Sequence, residues 1–529
     1  MKQLSGLDAA FLHLELPDMP MHIGALHLID LPPGYRGDFH EDVKAHVAGR
    51  MHLAGLFTKK LVHLPLEFAN PMWVEDAEID LDYHVQRARL PQPGTMAQLE
   101  ALVGKLHSQL LDRTRPLWEF HVIEGLKSGQ AAVYIKVHHS AIDGVGAESI
   151  ARAVLDLSPE PRALPALPER AGQTSQPGIN AMLANVLRHT ATQYWKIVKY
   201  LPTTAKAVGS LMLPSKGQGG KRGGGMADKF KPGPKTPLNG ALTNQRVFAT
   251  VRVPMVDAKA IGKAFGGSLN DAVLAICSGA LRRYLETKQA LPAEPLKVLM
   301  PVNLRAEGNT EQNNQFSLVV TKLPTNQAGA KERMQEIVQS SSSLKSTLSR
   351  VKSVLPTDLP SIGVPWLMSA LASFYGRTRL ADKMPPIANV LISNVPGVQA
   401  PLYLAGARMA SYYPVSIPLH GVGLNITVMS YNGALEFGLI ACRRALPDVR
   451  ELAKFMSEAH LELMALLQAE AGGGKAAAKR KPARKATKSG ADVEQAAPAS
   501  VTALPVKASA PKAGARRAGR ARRVVPEAA

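Results

Sequence analysis

Two adjacent histidines, His138 and His139, close an apolar run in the stretch VYIKVHHSAIDGVG. Side chains alternate between the two faces of a strand, so the imidazoles are predicted to point in opposite directions and not to act as one pair. His139 continues the apolar face of the run. Partial desolvation there favours the neutral imidazole that a general base requires.

The residues around this pair suggest supporting roles. His138 falls on the mixed face and is predicted to orient the segment through hydrogen bonds. Asp143 lies in a sharp strand-to-helix turn, where it caps the next helix or holds the turn, and Gly144 permits the tight backbone. For one histidine with one aspartate, an ordinary buried histidine beside a capping residue is the alternative. We predict no metal site, because adjacent strand histidines diverge and no third ligand has a typical spacing.

The positive charge of the chain is concentrated in two segments. The net charge is +21, of which residues 171–240 carry +9 and residues 471–529 carry +11. The rest is nearly neutral, which disfavours a protein whose main partner is nucleic acid. The two cysteines, Cys277 and Cys442, exclude a disulfide scaffold and indicate a reducing compartment. We find neither an export signal nor an apolar run of about 18 residues, and expect a cytosolic protein or one bound to a membrane from that side.

Composition divides the chain into two comparable globular regions, residues 1–165 and 241–470. Residues 166–240 form a basic connection with a candidate helix at 179–201. Residues 471–529 are rich in Ala, Lys and Arg, lack aromatic residues and are expected to be disordered. Because strands and helices occur in both halves, two α/β layered domains are predicted.

The hydrophobic patterns place the motifs on particular elements. A hairpin is predicted for residues 118–126 and 131–139. Helices are predicted at 98–112, 146–157, 269–288, 365–376 and 449–468, and strands at 296–302, 316–323, 388–393, 424–431 and 434–441.

HHSAIDG and five further motifs occur in an order that resembles one known family. HHSAIDG fits the HHxxxDG signature of coenzyme A-dependent acyltransferases and related condensation domains. The chain resembles the bacterial wax ester synthase/diacylglycerol acyltransferase family over nearly all of residues 1–468. The other motifs are SGLDAAFLHLELPDMPMHIGAL at 5–26, PLW at 116–118, Asn270-Asp271, SNVPG at 393–397 and SYNG at 430–433. Val398 stands where the family often has a proline, a change from which we expect little consequence.

The resemblance implies a fold of two similar α/β domains, like chloramphenicol acetyltransferase, with an active-site tunnel at their interface. It implies acyl transfer from a fatty acyl-CoA thioester to a hydroxyl group, with His139 as the general base and His138 and Asp143 as orienting residues. Asn270 is expected to donate to the oxyanion or to position a reactant, although its place at a helix start alone favours a simple cap. No permanently bound cofactor is expected, since coenzyme A enters as the thioester co-substrate.

The remaining motif residues are assigned structural roles. Pro116, Leu117 and Trp118 are expected to fix the entry to the first hairpin strand. A loop near the site is expected for Asn394, Pro396 and Gly397, with SYNG as a turn that shapes the tunnel. Asp271 accompanies Asn270, and Cys277 is predicted to be a small core residue and not a nucleophile.

Three functions are compatible with these motifs. The first is esterification of diacylglycerol, of long-chain alcohols, or of both, giving triacylglycerol or wax esters. The second is the same chemistry on an amine, a hydroxyl antibiotic or a carrier-bound group. The third is a lipid-inclusion surface protein whose basic tail tethers the inclusion to DNA.

The expected location is the cytoplasm, at the inner membrane or a lipid inclusion. The tail clusters at Lys479–Lys485 and Arg516–Arg523 would contact anionic lipid, or DNA without sequence preference. The segment 179–201 is compatible with an interfacial helix and equally with a crossover helix packed on the two domains.

Overall fold

Strands and helices alternate along both halves in a computed structural model, which describes residues 2–4, 6–63, 70–142, 146–165, 231–303, 316–352 and 365–478. The strands are β1 (Lys2–Gln3), β2 (His22–Asp30), β3 (Lys59–Val62), β4 (Met72–Glu75), β5 (Val85–Arg89), β6 (Trp118–Glu124), β7 (Ala131–His138), β8 (Arg246–Pro254), β9 (Leu296–Asn303), β10 (Phe316–Leu323), β11 (Val390–Val395), β12 (Leu402–Leu404), β13 (Ala407–Met409), β14 (Tyr413–Val415), β15 (Leu424–Tyr431) and β16 (Ala434–Cys442). The helices are α1 (Gly6–Leu14), α2 (Phe39–Ala48), α3 (Leu81–His84), α4 (Met96–His107), α5 (Gly146–Val154), α6 (Met255–Ala264), α7 (Leu269–Thr287), α8 (Ala330–Lys352), α9 (Pro365–Arg377), α10 (Leu380–Lys383) and α11 (Val449–Ala478).

The predicted elements are confirmed, with small shifts at their ends. β6 and β7 form the expected antiparallel hairpin, in which Trp118 pairs with Val137. The helix predicted from residue 98 begins at Met96, because Thr95 and Gln98 form a capping box that satisfies the first backbone donors. α11 continues to Ala478, beyond the point at residue 471 where the tail was expected to begin.

Residues 1–474 form one compact unit. Of the second unit, residues 475–529, the structure describes only the end of α11 at 475–478. The candidate helix at 179–201, the rest of the connection up to residue 230 and the tail clusters after Ala478 lie outside the described residues.

The first half builds a seven-stranded sheet around the hairpin. Its order is β12-β13-β2-β7-β6-β5, and β14 also pairs with β2. All residues of β7 are buried, because β2 and β6 flank it and each face packs on a separate apolar cluster. A three-stranded sheet, β1-β4-β3, lies apart from this one.

Three strands of this sheet come from the segment assigned to the second domain. β13 and β14 both pair antiparallel with β2, through Met409 with Ile29 and Val415 with Gly24. They cover the edge of β2 that the hairpin leaves open, which would otherwise present unpaired backbone donors and acceptors. Residues 402–415 therefore extend the first sheet, although the composition places them within 241–470.

The second half contains a six-stranded sheet in the order β10-β9-β11-β15-β16-β8. β11 runs parallel to β9 and β15, and the other neighbours are antiparallel. Helices α6, α7, α8 and α11 contribute to the largest apolar core cluster together with this sheet.

The two halves interlock at a second place, where α4 packs on β8. The Glu100 carboxylate in α4 accepts hydrogen bonds from the Thr250 backbone N–H and hydroxyl, at 2.9 and 2.8 Å. Within the described ranges, no single helix has the length and apolar character to cross a membrane; α6 and α7 reach that length and composition only as a pair bent by 96°.

Candidate active site

The two histidines stand where β7 ends and a short 3-10 turn, His139–Ala141, begins. The His138 backbone N–H donates to Leu117 O at 3.0 Å, and that of His139 donates to Met21 O at 2.9 Å. Consecutive residues are thus anchored to segments on opposite sides of β7. His139 lies past the last strand residue, so strand alternation orders the side chains up to His138 but does not by itself place His139.

Near the end of β7, the face that carries His138 holds buried polar groups. Lys136 on the same face is fully buried, and its Nζ lies 2.8 Å from a Glu119 carboxylate oxygen. His121 Nε2 lies 3.1 Å from the same carboxylate. The polar residues on the face that the sequence shows to be mixed are therefore paired with each other inside the protein, as buried charges require.

Nδ1 of His138 is hydrogen-bonded, and Nε2 lies beside a carboxylate without forming a hydrogen bond. The Ser140 backbone N–H donates to Nδ1 at 3.1 Å, and the Ser140 hydroxyl lies 2.7 Å from the same nitrogen. With Nδ1 accepting, the proton of a neutral ring is on Nε2, which lies 3.2 Å from Glu15 Oε2. A fully buried ring held in this way suits the orienting role predicted for His138.

Glu15 connects this histidine to the N-terminal segment. Its carboxylate also accepts from the Met21 backbone N–H at 3.1 Å and from Arg113 Nη2 at 2.7 Å. Burial alone raises the pKa of Glu15, but His138, Arg113 and the Met21 N–H outweigh it and lower the pKa to about 2. The carboxylate is therefore ionised at neutral pH.

His139 has a different environment. Its half-buried ring stacks on Phe11, with ring centroids 3.9 Å apart and planes 14° from parallel. Nδ1 is buried, with no hydrogen-bond partner among the other described residues. Burial lowers the pKa of His139 to about 4, although its own backbone carbonyl acts in the opposite direction. The ring is neutral at pH 7 and has no partner that occupies it as Glu15 and Ser140 occupy His138.

Asp143 and Gly144, the second part of the HHxxxDG motif, lie outside the described residues. The helix that follows them, α5, begins at Gly146. Their capping and turn roles therefore stay predictions.

The PLW motif lies directly beside the histidines. Leu117 supplies the carbonyl that holds His138, and the Trp118 N–H donates to Pro116 O at 2.9 Å. The Trp118 indole is buried, stacks on His84 with centroids 4.2 Å apart and donates to Phe57 O at 3.2 Å. These contacts are structural and anchor the end of β7 through backbone.

The Asn-Asp motif opens α7, but Asn270 is not its cap. Ser268 caps the helix by accepting from the Asp271 N–H, and Asp271 Oδ2 accepts in return from the Ser268 backbone N–H at 2.7 Å. The alternative that Asn270 is a simple cap is wrong, because the reciprocal capping box is completed by its neighbours. The half-buried side chain of Asn270 makes no hydrogen bond within the described part of the chain.

Two later motifs contact each other. The Gly397 N–H donates to the Ser430 hydroxyl at 2.9 Å, and a Cβ at Gly397 would lie 2.3 Å from Ser430 O. The Asn432 N–H donates to Val398 O at 3.1 Å. Valine and proline at position 398 would both supply this backbone carbonyl. Asn394 lies within β11 and not in the expected loop, because residues 391–395 pair with β15, whereas Pro396 follows the strand. No hydrogen bond or ion pair joins either residue to His139 in the described residues.

Tyr431 links the turn to the shared sheet. Its hydroxyl donates to Met409 O at 2.8 Å and accepts from the Leu402 N–H at 2.9 Å. The SYNG turn is a tight connection between β15 and β16, in which Asn432 and Gly433 have φ of 41° and 81°. Its predicted turn structure is confirmed, and its contacts fix strands and not a reactant.

Phe11, Glu15 and Arg113 were not predicted from the sequence as site residues. Phe11 and Glu15 belong to the N-terminal motif. The signal that could have indicated them as site residues was an aromatic residue and an acid within an apolar stretch. Arg113 had none, because its role depends on a contact with a residue 98 positions away.

Two other candidate chemistries are tested by the structure. Cys277 is fully buried in the core of the second half, and burial raises the pKa of its thiol to about 12, as expected of a core residue and not of a nucleophile. Across the described ranges, no group of three or more His, Cys, Asp or Glu side chains could hold a metal ion.

Comparison with known proteins identifies the family. The wax ester synthase/diacylglycerol acyltransferase catalytic domain matches residues 4–273, and the C-terminal domain of the same family matches residues 312–464. A Mycobacterium tuberculosis protein with the provisional name diacylglycerol O-acyltransferase is 36% identical over 87% of this chain and 99% of its own length. A second relative from that organism, also provisionally named diacylglycerol O-acyltransferase, is 34% identical over 86% of this chain and 96% of its own.

Solved structures agree in fold. The wax ester synthase/diacylglycerol acyltransferase of Marinobacter aquaeolei VT8 is 30% identical, with a TM-score of 0.63 over 88% of this chain and all of that one. The first condensation domain of the calcium-dependent antibiotic synthetase, 15% identical, covers 88% of this chain and 96% of its own, with a TM-score of 0.50, and shares the fold alone. The expected two-domain α/β architecture of coenzyme A-dependent acyltransferases is therefore confirmed, and the chain belongs to the wax ester synthase/diacylglycerol acyltransferase family.

Proposed function

We propose that the protein esterifies the hydroxyl of diacylglycerol with a fatty acyl group from acyl-CoA, and that His139 is the general base. The observation that carries the proposal is the contrast within the histidine pair. Ser140 holds Nδ1 of His138 by hydrogen bonds and the Glu15 carboxylate lies 3.2 Å from its Nε2, whereas no hydrogen bond or ion pair joins the neutral ring of His139 to another described residue.

The step assigned to His139 is proton transfer coupled to attack. Its imidazole takes the hydroxyl proton as the alcohol oxygen attacks the thioester carbonyl, which is worth roughly 10²–10⁴-fold in rate. The tetrahedral oxyanion then collapses and breaks the carbon–sulfur bond. The imidazolium returns the proton to the departing coenzyme A thiolate, so that ester and free thiol are the products.

Other residues support that step. We assign the Asn270 amide to the oxyanion or to positioning, because its side chain is not consumed by the helix cap. His138 and Asp143 orient the turn. No acyl-enzyme is proposed, since the thiol of Cys277 is fully buried in the core.

Two acceptors are carried forward. Diacylglycerol comes first because the curated relatives are named for it. A long-chain alcohol is the second, because the Marinobacter protein of similar fold is named a wax ester synthase as well. Both are barely soluble, and we propose that the protein works at the cytoplasmic face of a membrane or at a lipid inclusion.

The assay supplies purified full-length protein with palmitoyl-CoA and one acceptor at a time: diacylglycerol, hexadecanol or chloramphenicol. We expect free thiol release together with a new ester on a thin-layer plate for diacylglycerol, for hexadecanol, or for both. His139→Ala is the matched control. Turnover only with chloramphenicol, or no turnover with any acceptor, would contradict the proposal.

The tethering alternative needs a separate measurement. Full-length protein and a chain ending at Glu470 are sedimented with anionic vesicles, and with duplex DNA, at low and high salt. We expect the tail to increase binding to vesicles at low salt, with about 1 kcal/mol from each cation near the surface. Binding of the tail to DNA and never to vesicles would favour a DNA tether instead.

A further inference from the structure

The ring of His139 stacks on a residue that lies outside the HHxxxDG motif. Phe11 lies face to face with it, at a centroid distance of 3.9 Å and an interplanar angle of 14°. An imidazole stacked on an aromatic face cannot tilt out of its plane unless the aromatic side chain moves as well. The stack therefore sets the plane of His139.

Phe11 is itself held in place by its helix. Leu12, the next residue, is buried, and its carbonyl accepts from Arg113 Nη2 at 2.9 Å. At the residue after Leu12, Nδ1 of His13 lies 3.1 Å from the Ser369 hydroxyl of α9. Glu15 then joins the same segment to His138. These contacts give Phe11 a fixed platform.

We propose that Phe11 is a positioning residue for the general base: its ring face holds the imidazole of His139 and stabilises the imidazolium that forms as the proton is taken. The inference rests on the proposed function of His139. Aromatic rings carry negative charge density on their faces, and a cation on such a face is attracted most strongly where water is excluded.

The electrostatics around the ring explain why this contact matters. Burial keeps His139 neutral, and the same burial disfavours the positive charge that general-base catalysis must create. In the described part of the chain, no carboxylate pairs with His139. The carboxylate of Glu15 faces His138 and Arg113, and the other titratable groups on the packed helix are Asp8 and His13. Besides the backbone carbonyl of His139 itself, the face of Phe11 is in direct contact with the ring and favours its charged form.

Two roles for Phe11 make opposite predictions for pH dependence. If its face stabilises the imidazolium, its loss lowers the pKa of His139 further and the rate falls at every pH. If Phe11 only excludes water, its loss hydrates the ring, and the pKa of His139 rises toward the ordinary value near 6.5.

The test compares Phe11→Leu, which keeps an apolar side chain but removes the ring, with Phe11→Tyr, which keeps the ring face. For Phe11→Leu we expect kcat to fall about 10- to 30-fold, equivalent to about 1.4–2 kcal/mol, with little change in KM. The acid limb of kcat/KM, followed from about pH 4 to pH 8, should not move to higher pH. Phe11→Tyr should recover most of kcat.

Leu12→Val is the matched control, because this buried neighbour on the same helix packs in a cluster with Leu4 and Leu117 and makes no ring contact with His139. We expect a lower Tm and near-normal kcat. The inference is overturned if Phe11→Leu keeps normal kcat, if its acid limb moves toward pH 6.5, or if Phe11→Tyr is as impaired as Phe11→Leu. In each case the proposed function would still stand if the wild type is active and His139→Ala is inactive. An inactive wild type would overturn both the proposed function and the role of Phe11.

Discussion

The strand end at His138–His139 and the helix start at Ser268–Asp271 carry the two chemical motifs, and they are built in opposite ways. At the helix start, the polar groups satisfy each other within four residues. At the strand end, every stabilising contact apart from Ser140 comes from a distant segment: Glu15, Met21, Phe11 and Leu117. The comparison teaches that the histidine geometry depends on the folded halves, whereas the Asn-Asp geometry depends mainly on its own helix.

The largest effect is expected at His139, the residue at the strand end whose ring has few partners. His139→Ala should lower kcat by about 10²–10⁴-fold. Tm should change little, because the ring that is removed is half-buried and has few partners. His138→Ala is its matched partner and should lose less activity but more stability, since it leaves Glu15 without its histidine. Steady-state rates and melting curves decide. An inactive His138→Ala beside an active His139→Ala would reverse the assignment.

Glu15→Gln removes the negative charge that faces His138 and Arg113 at the same site. The pKa of Glu15 is lowered from 4.5 to about 2, so its ionised form stabilises the fold above about pH 4.5, and this contribution disappears as the pH falls toward 2. We expect a loss of about 3 kcal/mol in the free energy of unfolding at pH 7. The loss should be smaller near pH 3.

Urea unfolding at the two pH values measures this effect. Glu78→Gln, a change at an exposed carboxylate in the same half, is the control and should alter stability by less than about 0.5 kcal/mol. An equal loss for Glu15→Gln at both pH values would mean that packing, and not charge, is the contribution of Glu15.

Asn270→Ala addresses the helix start. We expect kcat to fall about 10- to 10³-fold with a modest change in KM, as for loss of one oxyanion donor. Tm should change little, because the capping box consists of Ser268 and Asp271. A normal kcat with a much lower Tm would return Asn270 to a structural role.

Ser268→Ala completes the comparison with the smallest effect. It removes the cap acceptor of the Asp271 N–H, which is worth about 1 kcal/mol of stability. Because the change is confined to the helix end, kcat should stay close to that of the wild type. A drop in kcat as large as that of Asn270→Ala would show that the cap positions the motif.

Much of the framework was predictable because it depends on local rules. The hairpin of β6 and β7, helix α7 and the buried state of Cys277 follow from alternation, helical spacing and apolar surroundings. The addition of β12–β14 to the first sheet was not predictable, because the sequence of a short strand does not indicate which sheet edge the strand will pair with.

By itself, then, the sequence determined the elements, the motifs and the family they belong to, since these depend on residue type and spacing along the chain. Only the tertiary structure decided that Glu15 and Ser140 lie against the ring of His138, that Phe11 covers His139 and that Ser268, not Asn270, caps α7. Most of these contacts join residues that are far apart in sequence, and the ring orientations and burial that distinguish the two histidines exist only once both sides of β7 are packed.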